Sequence, residues 1–468
     1  MSGGAAQTVQ SGQSRKVLDL PVPKVWAFAV GQFGWALLSG IISNWLVYFY
    51  QPDNETIAQG QTVFVPQGLA VLGVVTVVGG ITAFARFFDA FVDPAVASLS
   101  DRCKSAAGRR MPFLKFAALP LALVTVLVFW SPINGTSWVN GVFLFVAVIG
   151  YYIALTFYCT PYNALIAELG HDSKQQLTIS TAISFTWVAG TAIAYVAPVV
   201  WAGFVPGLGR VNAIRLTFSI MAAIALACML VPPLAIKERD YVNSQPTSES
   251  TVESLKQTFG DGEFRKFVCS DVVYWVAITT FQTGLPFFVT SLLKLPETTT
   301  TIYFVLMTAV SVLFYLPVNL MANHVGKKRI LLVAFAIFTC AFAFAGALGS
   351  SLLGAIPPMA QGLILSIVGA IPMAAFGILP QAIVANIADA SSKTTGQDRQ
   401  GMFYAARTFA MKMGQSVAML LFTGVSTIGM ASGTGYRIAA ICAAVLCGMG
   451  GLVFAFYNEC KVLGVLES

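Results

Sequence analysis

The stretch FARFFDAFVDPAVASLSDR, Phe84 to Arg102, decides how the rest of the chain is read. Its first ten residues are apolar or small except for Arg86, Asp89 and Asp93, spaced i, i+3 and i+7. At about 100° per residue, that spacing puts the three charges within about 60° of one another on one helical face. Outward on both sides the sequence stays apolar. Stretches of about 20 nearly uncharged residues recur from Val25 to Phe456, each long enough to cross a bilayer as a helix. Over 468 residues the apolar set reaches 57% and charged residues only 10%, against roughly a quarter charged in globular proteins. This balance excludes soluble multidomain, disordered, collagen-like and small disulfide-rich classes, and predicts an all-α integral membrane protein.

Breaks at polar or Gly/Pro clusters place twelve helices near 23–50, 67–99, 113–131, 138–168, 177–204, 213–235, 266–293, 300–323, 329–350, 352–388, 401–428 and 434–457. The one long hydrophilic segment divides them. The expected organisation is a tail over 1–22, a six-helix bundle over 23–235, a central loop over 236–265, a second six-helix bundle over 266–458, and a tail over 459–468. Twelve spans put both termini on one side. On that side fall 20 of the 27 Lys+Arg, while Arg210, Arg215, Lys294 and Arg437 fall on the other and Arg86, Arg407 and Lys412 fall inside spans. The positive-inside rule then makes both termini and the central loop cytoplasmic, in a plasma membrane.

The net charge of +7 is spent in these loops, and no basic stripe interleaved with aromatics exists to make a nucleic acid a partner. Eight cysteines are scattered mostly through apolar runs with no CxxC spacing, so neither a disulfide framework nor a zinc site is expected. His171 and His324 lie at cytoplasmic edges and build no acid–base pair. The polar start of the chain differs from a cleavable signal. Two sequons, at Asn54 and Asn134, lie in outer loops.

An ionisable group in hydrocarbon costs roughly 2.5 to 3.5 kcal/mol even on lenient scales, so each one asks for a partner or a purpose. Counting back from Asp101 at 1.5 Å per residue puts Asp89 about 18 Å deep, near mid-bilayer. Asp89 and Asp93 there offer hard oxygen ligands for a small cation, or a proton site, with Arg86 placed to neutralise one of them. Arg407 and Lys412 belong to the eleventh helix, and Lys412 sits about 16 Å from the start of its span. Opposite charges thus lie at matching depth in opposite halves. Between the second and third helices, Asp101-Arg102 and Gly108-Arg109-Arg110 form a loop whose arginines are expected to latch onto helix ends of the neighbouring half as a cytoplasmic gate. Gly326-Lys327-Lys328-Arg329 occupies the matching place in the second half, as two parallel repeats require.

With these residues in view, the chain resembles the major facilitator superfamily, specifically the glycoside-pentoside-hexuronide:cation symporters of the melibiose-permease type. The resemblance rests on Arg86-x-x-Asp89-Ala90-x-x-Asp93-Pro94 with Asp101-Arg102 and Gly108-Arg109-Arg110; on Thr156 to Leu165, TFYCTPYNAL; and on Arg407-Thr408-Phe409-x-x-Lys412-x-Gly414-Gln415. It implies a major facilitator fold of two six-helix bundles and a secondary transporter, not an enzyme. It also implies a monomer that takes a small solute together with a monovalent cation, Na+ or H+, by alternating access, with no cofactor. The cation-binding roles map by resemblance onto Asp89, Asp93 and Thr156, and the link between cation and solute sites onto Lys412.

The sugar clamp of that branch is missing. Phe33-Gly34 is followed by Trp35-Ala36 instead of Lys-Asp, Cys159 stands where a sugar-binding aspartate is found, Asn163 replaces a tryptophan, and Thr181 to Ser184 contain no arginine. A sugar is held by directional hydrogen bonds from buried polar groups, so a galactoside is not expected. Related lysolipid symporters share the aspartates, the lysine and a Pro-Tyr-x-Ala-Leu segment like Pro161 to Leu165, which makes an amphipathic solute the alternative. An uncoupled facilitator or exporter of the same fold is a further one. The expected pocket residues are Gln32, Trp35, Cys159, Asn163, Trp187, Trp275 and Gln282. No nucleophile–base pair and no channel-filter loop is apparent in the spans.

Overall fold

The computed structural model describes residues 18–71, 73, 75–105, 107–170, 173–242, 258–395, 400–429 and 432–467. Most of the central loop, His171 and Arg399 lie outside these residues. Among the described residues run twelve long helices: α1 (Val22–Tyr50), α2 (Val77–Asp101), α3 (Met111–Leu127), α4 (Trp138–Leu169), α5 (Ser173–Leu208), α6 (Arg210–Ala235), α7 (Gly262–Phe287), α8 (Thr298–Val325), α9 (Lys327–Ala347), α10 (Pro358–Thr395), α11 (Gln400–Val425) and α12 (Thr434–Ala455). Nine of them are long and apolar enough to cross a membrane by length and composition alone. The other three are α3, shortened to 17 residues, and α2 and α11, which carry Arg86, Asp89, Asp93, Arg407 and Lys412.

Helix starts follow local chemistry. Thr76 Oγ1 accepts from the Gly79 N–H at the head of α2, Ser137 caps α4, and Asp261 takes the Glu263 and Phe264 N–H groups at the head of α7. The capping threonine corrects one boundary. Hydropathy starts the second helix near 67, but α2 begins at Val77, because Gly68 and Gly73 take φ of +75° and +71°. Val71 and Val75 then bond each other's backbone at 2.9 and 3.1 Å, so this apolar stretch folds as a turn. Inside the helices, prolines such as Pro94, Pro161 and Pro286 are accommodated as in other membrane helices, where neighbours re-satisfy the freed backbone. After Pro286, α7 ends in a π-helical turn, Phe288–Leu292.

In the first half α1 packs on α5 and α6, and α4 on α2 and α3; in the second, α7 packs on α11 and α12, α8 on α10, and α9 on α10 and α12. Small residues permit the closest approaches: a Cβ at Gly34 of α1 would come 2.6 Å from the Ala225 carbonyl of α6. The halves meet along α2/α11, α5/α8 and α1/α7. At the end opposite the termini they are tied by hydrogen bonds: Gln51 Nε2 donates to Thr423 O and to Ser426 Oγ, both at 2.9 Å, and Thr301 Oγ1 donates to Tyr195 O at 2.5 Å.

At the terminus end each half closes on itself. Glu238, just after α6, accepts from the N–H groups of Arg109, Arg110 and Met111 at 2.8 to 2.9 Å and so caps α3. Glu459, just after α12, accepts from Lys327 and Lys328 N–H at 2.9 and 3.0 Å and so caps α9. A positive-φ glycine precedes each capped helix, Gly108 at +117° and Gly326 at +94°. The duplication expected from the two basic loops thus extends to a duplicated carboxylate cap.

Candidate functional site

The side-by-side packing of α2 and α11 brings their charged turns together. Lys412 Nζ lies 2.7 Å from Asp89 Oδ2 and 2.5 Å from Asp93 Oδ2. The remaining oxygens are held by α4: Thr156 Oγ1 donates to Asp89 Oδ1 at 2.6 Å, and Thr160 Oγ1 donates to Asp93 Oδ1 at 3.2 Å. Both pairs are spaced i, i+4, so two neighbouring helices present matching carboxylates and hydroxyls one turn apart. Asp89 and Thr156 are buried, while Asp93 is half-buried and nearer the terminus end. Four carboxylate oxygens and two hydroxyls are hard donors, the chemistry a small monovalent cation or a proton takes. The lysine ammonium already stands among them as a tethered positive charge.

Two charged residues expected in this network sit elsewhere. Arg86 does not neutralise an aspartate: Nη1 donates to Gln415 Oε1 at 2.9 Å, Nη2 to Ser43 Oγ at 3.2 Å, and the guanidinium lies 5.1 Å from the centre of the Tyr152 ring. Lys412 and Thr156 already occupy the oxygens of Asp89, so the arginine takes neutral partners one turn away. Arg407 makes a two-pronged bond to Asp271 of α7, Nε to Oδ2 at 2.8 Å and Nη2 to Oδ1 at 3.0 Å, both side chains buried.

Of the expected pocket residues, Gln32, Trp35 and Trp187 are the ones linked by the contacts described. Gln32 accepts from Trp35 Nε1 at 3.2 Å, and the Trp35 and Trp187 rings sit 4.9 Å apart at 57°. Cys159 lies on α4 between Thr156 and Thr160, half-buried. Trp275 of α7 packs against α11 at Gly414, and its indole N–H is buried without a hydrogen-bond partner. Asn163 is exposed and Gln282 half-buried, and neither joins these contacts.

The basic loop forms a cluster within the first half. Arg110 Nη2 lies 2.9 Å from Asp101 Oδ1 and 2.7 Å from Glu168 Oε1 of α4, and Arg109 Nη2 lies 3.0 Å from the same Glu168 oxygen. These bonds tie α2, α3 and α4 together, whereas the sequence suggested a reach to the other half. Arg102 is exposed at the end of α2. Sequence reasoning passed over Thr160, Asp271, Glu168 and Glu238. Asp271 was visible as a charge inside an apolar span, and Thr160 lies one turn from Thr156.

A family profile described as MFS/sugar transport protein matches residues 27–455. Among curated relatives, the inner membrane symporter YicJ of Escherichia coli (strain K12) is 26% identical over 47% of this chain and 47% of its own length. The isoprimeverose transporter of Lactiplantibacillus pentosus is 23% identical over 56% of this chain and 51% of its own. The chain spans about half the length of the curated relatives it matches. Among solved structures, the nucleoside transporter NupG superposes with a TM-score of 0.61 at 14% identity, covering 93% of this chain and 100% of that one. A bacterial homologue of the human lysosomal transporter Spinster, in an inward-facing and unoccupied conformation, gives 0.63 at 12% identity, covering 95% and 97%. At these identities the superpositions establish the fold alone.

Proposed function

Because the chain belongs to the MFS/sugar transport protein family, of the glycoside-pentoside-hexuronide:cation symporter type, and is an all-α integral membrane transporter, we propose that it couples a monovalent cation to the uptake of a small sugar-type solute by alternating access. The observation that carries this reading is Lys412 Nζ bridging Asp89 and Asp93 while Thr156 and Thr160 hold their other oxygens. A cation arriving at these oxygens competes with the ammonium for the same charge. Its binding releases Lys412 from the two carboxylates, and solute that engages the freed lysine in turn favours the cation. That reciprocity is what coupling requires.

The rocking units are 23–235 and 266–458, with both termini cytoplasmic in a plasma membrane, as the loop charges favour. On that orientation the cross-half bonds of Gln51 and Thr301 lie at the outer end and hold it closed. Trp35 and Trp187 supply aromatic faces for the apolar face of a sugar ring. The same pair also favours a second reading, an amphipathic solute such as a lysophospholipid.

The test is the melting temperature of purified protein with and without Na+, across a panel of pentosides, hexosides, glucuronides and lysolipids, because a ligand of the folded state stabilises in proportion to RT ln(1 + [L]/Kd). A Na+ shift that disappears in Asp89→Asn, and grows with one sugar class, is expected. A shift with falling pH alone makes the coupling ion a proton, a lysolipid shift transfers the assignment to that class, and no cation effect of either kind overturns coupling.

A further inference from the structure

At the end opposite the termini, two carboxylates cross between the halves in opposite directions. Glu297 follows α7 and belongs to the second half, yet its four bonds shown come from the first: Arg210 Nη1 and Trp201 Nε1 donate to Oε1 at 2.9 and 2.5 Å, and Arg210 Nη2 and Tyr48 Oη donate to Oε2 at 2.5 and 3.0 Å. Asp53 follows α1 and belongs to the first half, yet its Oδ2 accepts from Thr290 Oγ1 at 2.6 Å and from Ser291 Oγ, both in the π-helical turn after α7. Its Oδ1 is held by Thr56 of its own loop, through the backbone N–H at 2.9 Å and the hydroxyl at 2.8 Å. Asp53, Glu297 and Arg210 are 1%, 7% and 6% exposed. The two loops occupy equivalent places in the two repeats, and each sends its acid into the other half.

From this reciprocal insertion we infer that Asp53 and Glu297 form the outer gate of the transporter, whose release opens the end opposite the termini. The inference rests on the alternating-access reading. A gate must close firmly and open every cycle, and buried carboxylates suit that demand. When the halves part, water replaces the protein donors; when they close, the desolvation cost is repaid only if every donor returns. Such a latch is complete or absent, with little reward for a half-closed state. The neighbouring Glu55–Lys294 pair also crosses the halves, at 2.6 Å, but both of its side chains are largely exposed, so it carries no comparable switch.

The experiment places spin labels in a background without native cysteines. One pair, at Asn134 and Leu352, reports the outer end; the other, at Arg102 and Arg329, reports the terminus end. Glu297→Gln leaves the Arg210 guanidinium buried against a neutral partner when closed, and should raise the open-to-closed ratio at the outer end by about tenfold or more. Asp53→Asn should move it in the same direction, and Glu55→Gln should leave it unchanged. Tyr48→Phe combined with Ser291→Ala removes one donor from each carboxylate without touching a charge, and covers the case in which a charge variant does not fold. An outer distance distribution that stays at the parental value in Glu297→Gln or Asp53→Asn, and in the double donor variant, would falsify the gate. If Na+ with solute shifts both label pairs reciprocally while those variants do nothing, alternating access stands and the gate fails. If the variants lengthen the outer pair while the other pair never responds, the gate stands and the rocking reading fails.

Discussion

Thr156 and Thr160 separate the two aspartates in a measurable way. A hydrogen bond to a charged group contributes about 1.5 to 3 kcal/mol, and 1.4 kcal/mol is tenfold in affinity. On the proposed Na+ coupling, Thr156→Val is therefore expected to raise the Na+ concentration for half-maximal thermal stabilisation by about tenfold or more. Thr160→Val, which removes a bond of 3.2 Å to a half-buried carboxylate, should raise it less. Equal effects in a Na+ titration would contradict the inner position of Asp89. Asp271 makes the opposite case. Its two bonds end on Arg407, away from the lysine bridge, and removing one partner of a buried pair costs about 3 to 5 kcal/mol. Asp271→Asn should thus lower the melting temperature strongly while leaving the Na+ midpoint of the surviving folded protein in place; a shifted midpoint would draw Asp271 into the coupling network. Asp89, Asp93 and Lys412 could be read from sequence because a charge in an apolar span stands out against its cost. Asp53 and Glu297 could not, because charges in loops are ordinary and only the packed halves reveal them as buried.

The third helix of each half depends on a carboxylate supplied by a distant segment. Losing a helix N-cap costs about 0.5 to 2 kcal/mol. Glu238→Ala and Glu459→Ala are both expected to lower the melting temperature, the first by more because Glu238 serves three N–H groups and Glu459 two. A thermal scan in which Glu459→Ala is the more damaging would show that the caps are not the source of the loss. Elements were legible to the extent that hydropathy marks them, since every long helix overlaps an expected span. The head of α2 escaped because residues 67–75 are apolar yet carry two glycines at positive φ, and hydropathy does not register backbone conformation. The π-helical turn after Pro286, which presents Thr290 and Ser291 to Asp53, is invisible to periodicity for the same reason.

For the whole molecule, orientation is the premise on which inner and outer depend, and Cys460 supplies its test. This cysteine is exposed beyond α12 at the terminus end. With the other seven replaced, a membrane-impermeant maleimide should leave it unmodified in intact cells and label it after permeabilisation; labelling in intact cells would invert the topology. The two-repeat layout was legible in the loop charges, whereas the bonds of Arg109 and Arg110 to Glu168, on a helix of their own half, were not. The caps have a further consequence, which concerns time. The N–H of Arg110 and its partner Glu238 are 128 residues apart in the chain. At about 5 to 20 residues per second of synthesis, the head of α3 waits roughly 6 to 26 s for the residue that completes it. The second repeat meets the same delay, since Lys327 and Glu459 are 132 residues apart. Each half is thus finished by its last-made segment, and a ribosome that stalls inside α6 or α12 leaves a nascent chain whose third helix has no cap.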